Sequence, residues 1–437
     1  KVKVSTQDAV SKKIFYTSLY HTLFAPSEFC DVNGDYYGAD KQIHHGKGFK
    51  NYTTFSLWDT YRAAQPLMTI LQPERMSDII NTMLHIYEQQ GKLPVWHLMG
   101  CETNCMVGNP GVPVVADAIL KDIKGFNSEL AFKALKESSM LPERGMEYRI
   151  QYGFIPADKM TEAIAYDMEY AIADWAVAQA ARRLGKQDDY TYFLERSKSY
   201  KNYFDASTGF MRGKLSDGSW RTPFSPYASA HRDDDYCEGN AWQYTWLVPQ
   251  DVEGLVACFG SKDAFVHKLD SLFLASGDMG EASSPDISGL IGQYAHGNEP
   301  SHHITYLYTL VGQPWKTAER VKEILHTMYT DQPDGLSGNE DVGQMSAWYI
   351  LSSFGFYQVE PAGGKFVFGY PNFEKVEIAV PGGQFVIKRE DKGQKNCYIQ
   401  GVLLNGKEYK KAWIDYADIM KGGELTFLMG DKQTVWY

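Results

Sequence analysis

Apolar residues recur at three- and four-residue steps through the first four-fifths of the chain. Between residues 8 and 24, Val10, Ile14, Phe15, Leu19 and Leu23 fall on one helical face. The run 52–62 leads into an apolar helix that ends before Pro73. Pro73 opens the next helix at the position where its missing N–H costs nothing, and Gly91 stops that helix after Gln90. The same periodicity predicts helices over 112–123, 128–138, 159–184, 187–204, 240–247, 250–259, 262–273, 299–311, 315–329 and 342–354. Long polar stretches separate them, notably 31–50, 205–237 and 274–298. Loops of that length within a compact domain are usually functional.

Near residue 355 the period changes. The runs 365–369, 375–380, 385–388, 398–404 and 425–428 alternate or stay apolar, rich in β-branched residues. Gly363-Gly364, Gly382-Gly383 and Asn405-Gly406 supply turns between them. The expected fold is therefore mainly α. Residues 1–355 form an (α/α)6 toroid barrel of helical hairpins closed into a ring, with the inter-helix loops gathered in one cleft. Residues 356–437 form a small all-β, sandwich-like domain. No repeat with a period of 20–50 residues points to a solenoid.

Composition narrows the function classes. The chain has 437 residues, among them 29 Tyr, 22 Phe and 10 Trp. Many of these rings must be core, but a surplus suits carbohydrate sites, where ring faces meet sugar C–H surfaces. The net charge of −11 and the absence of a basic run argue against nucleic acid. No window of 18 uncharged apolar residues is present, so no membrane span is expected. Of the six cysteines, Cys101 and Cys105 stand in a C-x-x-x-C spacing, but no second pair completes a zinc site. No nucleophile elbow, phosphate loop or dinucleotide fingerprint occurs.

Four polar stretches carry the candidate chemistry. In 334–349, Asn339, Glu340 and Asp341 precede an apolar helical run opened by Gly343 and Gln344. Carboxylates are stabilised at a helix N-terminus, so Asp341 is either the cap of that helix or a functional acid. In 231–246, Glu238 stands before Gly239 among Tyr236, Trp242 and Tyr244. Such surroundings would desolvate the carboxyl and raise its pKa, as a general acid requires; the plain alternative is another helix cap. In 289–303, Asn298 and Glu299 precede Pro300 and offer hard oxygen donors, which suit Ca²⁺ better than zinc. The nearby His296, His302 and His303 fit no metal spacing and are expected to hydrogen-bond. In 55–62, Trp58 offers a stacking plane, Asp59 an acceptor and Arg62 a donor fork; the plain alternative is a buried indole beside an Asp59–Arg62 pair. The loop 100–109 adds Glu102 and Asn109 as polar candidates.

Taken together, the runs FSLWDTYRA, CEGNAWQYTW, GQYAHGNEPSHH and GNEDVGQMSAWY resemble glycoside hydrolase family 92, the calcium-dependent exo-acting α-mannosidases. The resemblance extends from about residue 10 to the end. It implies an inverting hydrolase of terminal α-linked mannose, α-1,2 or α-1,3, on N-glycan or mannan oligosaccharides. It places the catalytic acid at Glu238, the general base at Asp341, and Asn339 where some relatives carry a second acid. It places calcium at Asn298 with its flanking carbonyls, next to Glu299. The sugar-binding set is then Trp58, Asp59, Arg62, Glu102, Trp242, Gln293, His302 and Gln344, with Gln293 and Tyr294 toward the leaving group. Relatives carry an N-terminal β-sandwich, which the resemblance implies is missing here or supplied as another chain, and a secreted or periplasmic location. The chain opens on Lys1 without a signal, as a processed or truncated protein would. The rival readings are a non-catalytic carbohydrate-binding protein, another (α/α)6 enzyme such as a polysaccharide lyase, and a structural helical scaffold.

Overall fold

The computed structural model describes residues 1–437, with helices dominating 9–354 and strands dominating 356–430. Helix Ala9–His21 is capped by Asp8, whose carboxylate accepts from the backbone N–H of Val10 and Ser11 at 3.0 and 3.2 Å. Ile14 and Phe15 turn inward. Val10 and Leu23, expected on the same buried face, are each 49% exposed. The Phe15 ring meets Phe373 edge-on at 5.3 Å and Phe354 at 6.0 Å, which ties the first helix to the end of the helical region and to the strands beyond it. Phe15→Ala is expected to cost about 3–5 kcal/mol, read by chemical denaturation.

Pro73–Gln90, Ser128–Ser138 and Gln344–Phe354 lie where the periodicity puts them. Ala163–Arg183 is buried on nearly every side, and its many alanines let Gly111–Leu120 and Gln187–Arg196 pack closely. The expected helix 299–311 is broken into 3-10 turns at Glu299–Ser301 and Ile304–Tyr306, followed by the short helix Leu307–Leu310. Side chains from elsewhere take the carbonyls that a continuous ladder would use. Trp348 Nε1 donates to His302 O at 2.8 Å, and Thr317 Oγ1 to Thr305 O at 2.9 Å. The expected 240–247 helix is likewise only Ala241–Tyr244. Met146–Tyr152, bracketed by left-handed Gly145 and Gly153, was not expected.

Gly355, at φ 92°, ends helix Gln344–Phe354, and strand Phe356–Gln358 follows at once. That strand joins Lys365–Phe368 and Trp413–Asp415 in a three-stranded sheet. A six-stranded sheet runs in the order Val2–Ser5, Lys375–Val380, Gly383–Asp391, Gly423–Gly430, Tyr398–Leu404, Lys407–Glu408. Its one parallel pairing joins Gly383–Asp391 to Gly423–Gly430. The edge strand comes from the other end of the chain, Val2 lying opposite Ile378 and Val4 opposite Val376. One apolar core runs from Val2 to Met429 across helices and sheets alike. No helix is long and apolar enough to cross a membrane.

Candidate active site

The segments 296–298 and 335–341 press together without side chains between them. A Cβ on Gly338 would fall 2.4 Å from Gly297 O, and one on Gly297 would fall 2.8 Å from Ser337 O. This close approach brings Glu299 and Asp341 toward Asp59, which lies on the single turn Leu57–Thr60. Carboxylate oxygens of Asp59, Glu299 and Asp341 all lie within 4.8 Å of one another.

Asp341 is free to join this group because it does not cap its helix. Asp341, Val342 and Gly343 are all left-handed, at φ 51°, 48° and 100°. Glu340 caps instead: its carboxylate accepts from Gly343 N at 2.5 Å and from Ser346 N at 3.4 Å. Glu340→Ala is expected to destabilise by about 0.5–2 kcal/mol, a cap's usual worth. It should also lower activity by letting the Asp341 turn relax, which thermal melting and rate measurements on the same sample would separate.

Glu299 is fully buried, and both its carboxylate oxygens lack a protein hydrogen-bond partner. Asp59 accepts from the Ser56 hydroxyl. Burial first, and then the neighbouring acids, push Asp59 and Glu299 well above the usual carboxylate range. Burial likewise raises Asp341 to about 6, although the neighbouring Glu299 carboxyl opposes the rise. Two buried carboxyls and a half-buried one in a single pocket must hold protons or a cation. The donors are all hard oxygens, with no imidazole or thiolate among them, and they fit a hard divalent cation.

Arg62 does not pair with Asp59. Its guanidinium donates to Glu169 at 2.7 Å and to Trp58 O at 3.1 Å, lies 5.0 Å from the Trp58 ring, and shares Glu169 with the Tyr61 hydroxyl. Burial opposes its charge, but Tyr61, Glu169 and Glu299 outweigh burial and hold it above its ordinary value. Trp58, expected as a stacking plane, is 1% exposed under this guanidinium, so it supports the pocket floor.

Glu238 is no cap either. Asn240 caps the following turn, accepting from Trp242 N at 2.9 Å, while Gln243 Oε1 accepts from Asn240 N at 2.8 Å. Glu238 sits in left-handed backbone, φ 50°. The Asn298 amide nitrogen donates to its carbonyl at 2.8 Å and to its carboxylate at 3.3 Å, which turns the amide oxygen of Asn298 the other way. Burial, and then the charge of Asp286, raise Glu238 to about 7, against the Asn298 hydrogen bond. Asp341 acts in the same direction, so the two acids share one electrostatic space.

Asp286 is the residue that sequence reasoning missed; the only signal was the length of the loop that carries it. It accepts from Ser284 Oγ at 2.9 Å and from Asn339 Nδ2 at 3.3 Å, so Asn339 stands at the rim and outside the carboxylate group. His302 lies beneath the site, Nε2 donating to His296 O at 3.0 Å and Nδ1 accepting from Gln344 at 2.9 Å. Gln344 in turn accepts from Ala63 N and Ala64 N. Burial drives His302 to about 3 and His303 to about 4, so both stay neutral struts. Gln293 Oε1 accepts from Asn240 Nδ2 at 3.0 Å, and its main-chain oxygen accepts from Gln243 Nε2 at 2.6 Å. Trp242 is 7% exposed and meets Phe210 edge-on at 4.7 Å. Glu102 turns away to the backbone of Val95, Trp96 and Asn104, and Asn109 donates to Ser138 O.

Residues 1–431 match the glycosyl hydrolase family 92 catalytic domain. The chain belongs to glycosyl hydrolase family 92. It superposes on a family 92 α-mannosidase from Bacteroides thetaiotaomicron, solved with mannoimidazole, at TM-score 0.95 and 40% identity, covering 100% of this chain and 59% of that one. A family 92 inverting mannosidase from the same organism superposes at TM-score 0.89 and 33% identity, covering 100% of this chain and 62% of that one. An uncharacterised secreted glycosidase of Arthroderma benhamiae is 27% identical over 417 residues, 86% of this chain and 51% of the relative. The chain thus spans between half and two-thirds of the length of these relatives.

Proposed function

We propose that this family 92 chain supplies the site of an exo-acting α-mannosidase that removes terminal α-linked mannose, α-1,2 or α-1,3, from N-glycan or mannan oligosaccharides with inversion. The observation that carries the reading is a pair of carboxyls in one cleft, Glu238, which burial raises to about 7 so that it keeps a substantial protonated fraction near neutral pH, and Asp341, raised less, to about 6. An inverting glycosidase needs one protonated and one ionised carboxyl with a water between the sugar and the base. Glu238 donates its proton to the glycosidic oxygen as the bond breaks. Asp341 takes a proton from the water that attacks the opposite face of the anomeric carbon. Asp59 accepts hydrogen bonds from sugar hydroxyls. Calcium would be held by Glu299, Asp59, Asp341 and the Asn298 amide oxygen, and it would polarise vicinal hydroxyls and stabilise developing charge.

The helices of 9–354 are proposed as the inner and outer shells of an (α/α)6 barrel, with the strands as its cap. A secreted or periplasmic location is proposed on the A. benhamiae relative, which is described as secreted. A binding protein has no use for two carboxyls poised in opposite protonation states, and a lyase would want a basic subsite for uronic acids. The test is nuclear magnetic resonance during the first minutes of mannoside hydrolysis. β-Mannose should appear first; α-mannose first would mean retention and remove the base role of Asp341.

A further inference from the structure

A cavity of about 620 Å³ opens where the helical region meets the strand region. Its walls come from residues 249–262, from Leu310 and Val311, and from Glu360, Lys365 and Trp413. None of the carboxyls of the candidate active site borders it. Pro249, at its edge, also borders a cavity of about 10 Å³ beneath Tyr61 and Arg62, so the floor of the active site separates the two. The volume lies within the roughly 300–1,000 Å³ of small-molecule sites.

Trp413 is half-buried and fixed from two sides. Its indole N–H donates to Asp415 Oδ1 at 3.2 Å, and Lys365 Nζ lies 5.3 Å from its ring centre. Lys365 in turn donates to Glu360 at 3.0 Å. Val252, Val256 and Leu310 form an apolar wall. A fixed aromatic ring beside mixed donors and acceptors suits a sugar, whose C–H faces are apolar and whose edges carry hydroxyls. The charges agree. The Asp251 carboxylate is taken by Gly254 N at 3.0 Å and the Tyr200 hydroxyl at 2.7 Å. Glu253 and Glu360 then stand against Lys262 and Lys365, a lining without net charge. A phosphate or a cation would find no field to hold it there, whereas an uncharged polyhydroxylated ligand finds both donors and acceptors.

Gln250 supplies a second, independent sign. It lines the cavity and is 7% exposed. Its amide nitrogen donates to Ser197 O at 3.5 Å, but its amide oxygen is buried with no donor. A buried amide oxygen without a donor is costly, and native structures usually supply one. A hydroxyl of a ligand in the cavity would do so.

We propose that this cavity is a second, non-catalytic carbohydrate site, which holds a distant branch of a mannan while the cleft trims a free end. The choice of mannose rests on the α-mannosidase reading above; the neutral, hydroxyl-rich character of the ligand rests on the cavity itself.

The test is calorimetric titration of α-mannotriose into Glu238→Gln, which turns it over poorly, in chelator, which removes the cation proposed for the cleft. One trisaccharide per chain should still bind. Ala257→Trp adds a ring to the cavity from an exposed helix position, and it should weaken that binding by about tenfold or more, as should Trp413→Ala. Ala257→Trp carries the test if Trp413→Ala does not fold. In the parent enzyme both changes should leave kcat/KM on an aryl mannoside within about twofold. On a branched α-mannan they should lower it by about tenfold or more, because a second contact makes the catalytic encounter effectively intramolecular. No binding in chelator, or binding that the variants leave unchanged, would overturn the proposal, as would unchanged turnover of the mannan. A parent that cleaves no mannoside at all would remove the catalytic reading alone, and the titration would still decide this one.

Discussion

Glu238→Gln is expected to lower hydrolysis of an unactivated mannoside by about 10²–10⁴-fold, the usual contribution of a general acid. It should cost an aryl mannoside with a good leaving group far less. Glutamine keeps the length of the side chain and its contact with Asn298 but has no proton to give. Asp341→Asn should damage both substrates about equally, since the water must be activated whatever departs. The pH profile separates the two roles further. Activity requires Glu238 protonated and is lost as pH rises through about 7. It requires Asp341 ionised and is lost as pH falls through the pKa of Asp341, which bound calcium would hold below its cation-free value of about 6. The parent enzyme should therefore show a bell on mannobiose. Glu238→Gln should lose the alkaline limb and keep the acidic one, and retention of both limbs would mean that another group donates the proton.

Exhaustive removal of divalent cations is expected to abolish turnover, and adding back calcium alone should restore it. Lewis-acid stabilisation of several kcal/mol corresponds to at least about a hundredfold in rate. Calcium should also raise the unfolding midpoint. A cation present at a hundred times its dissociation constant stabilises the folded state by about 2.7 kcal/mol. Glu299→Gln provides the control, since Glu299 is fully buried with two unpartnered oxygens. That change removes one ionisable carboxyl from a pocket of three. It should weaken the calcium response while making the cation-free protein more resistant to heat than the parent in chelator. Full activity of the parent after chelation would defeat the cation assignment.

How far the sequence reached depended on the range of the interaction involved. The shift in periodicity near 355 was readable because helix and strand patterns are local, and Gly355 marks the change. Asp341 was readable as one of two things, cap or functional acid. Its neighbour Glu340, pointing back at the same helix, decided between them, and that choice depends on backbone dihedrals no pattern displays. Trp58 looked like an exposed plane because aromatic residues beside acids suit sugars; its burial comes from Arg62 and Glu169, 107 positions apart in sequence. Asp286 left no local mark, since its importance arises only when the loop folds over Glu238 and Asn339. The 299–311 helix failed for a similar reason, its carbonyls being taken by residues on two other helices.

The strand Val2–Ser5 at the edge of the six-stranded sheet bears on how the molecule is assembled. During synthesis its partner Lys375–Val380 leaves the ribosome only after the helical region between them, so Val2–Ser5 must wait for it. Closing so long a loop adds little entropic cost beyond that of a shorter one, because the cost grows only with the logarithm of length. The delay is therefore one of waiting, and until the pair forms Val2–Ser5 keeps its backbone hydrogen-bonding groups unpaired. Once joined, the two ends act as a clasp. A protease nick in the exposed part of 274–285 should leave two fragments that migrate together under native conditions and separate only in denaturant.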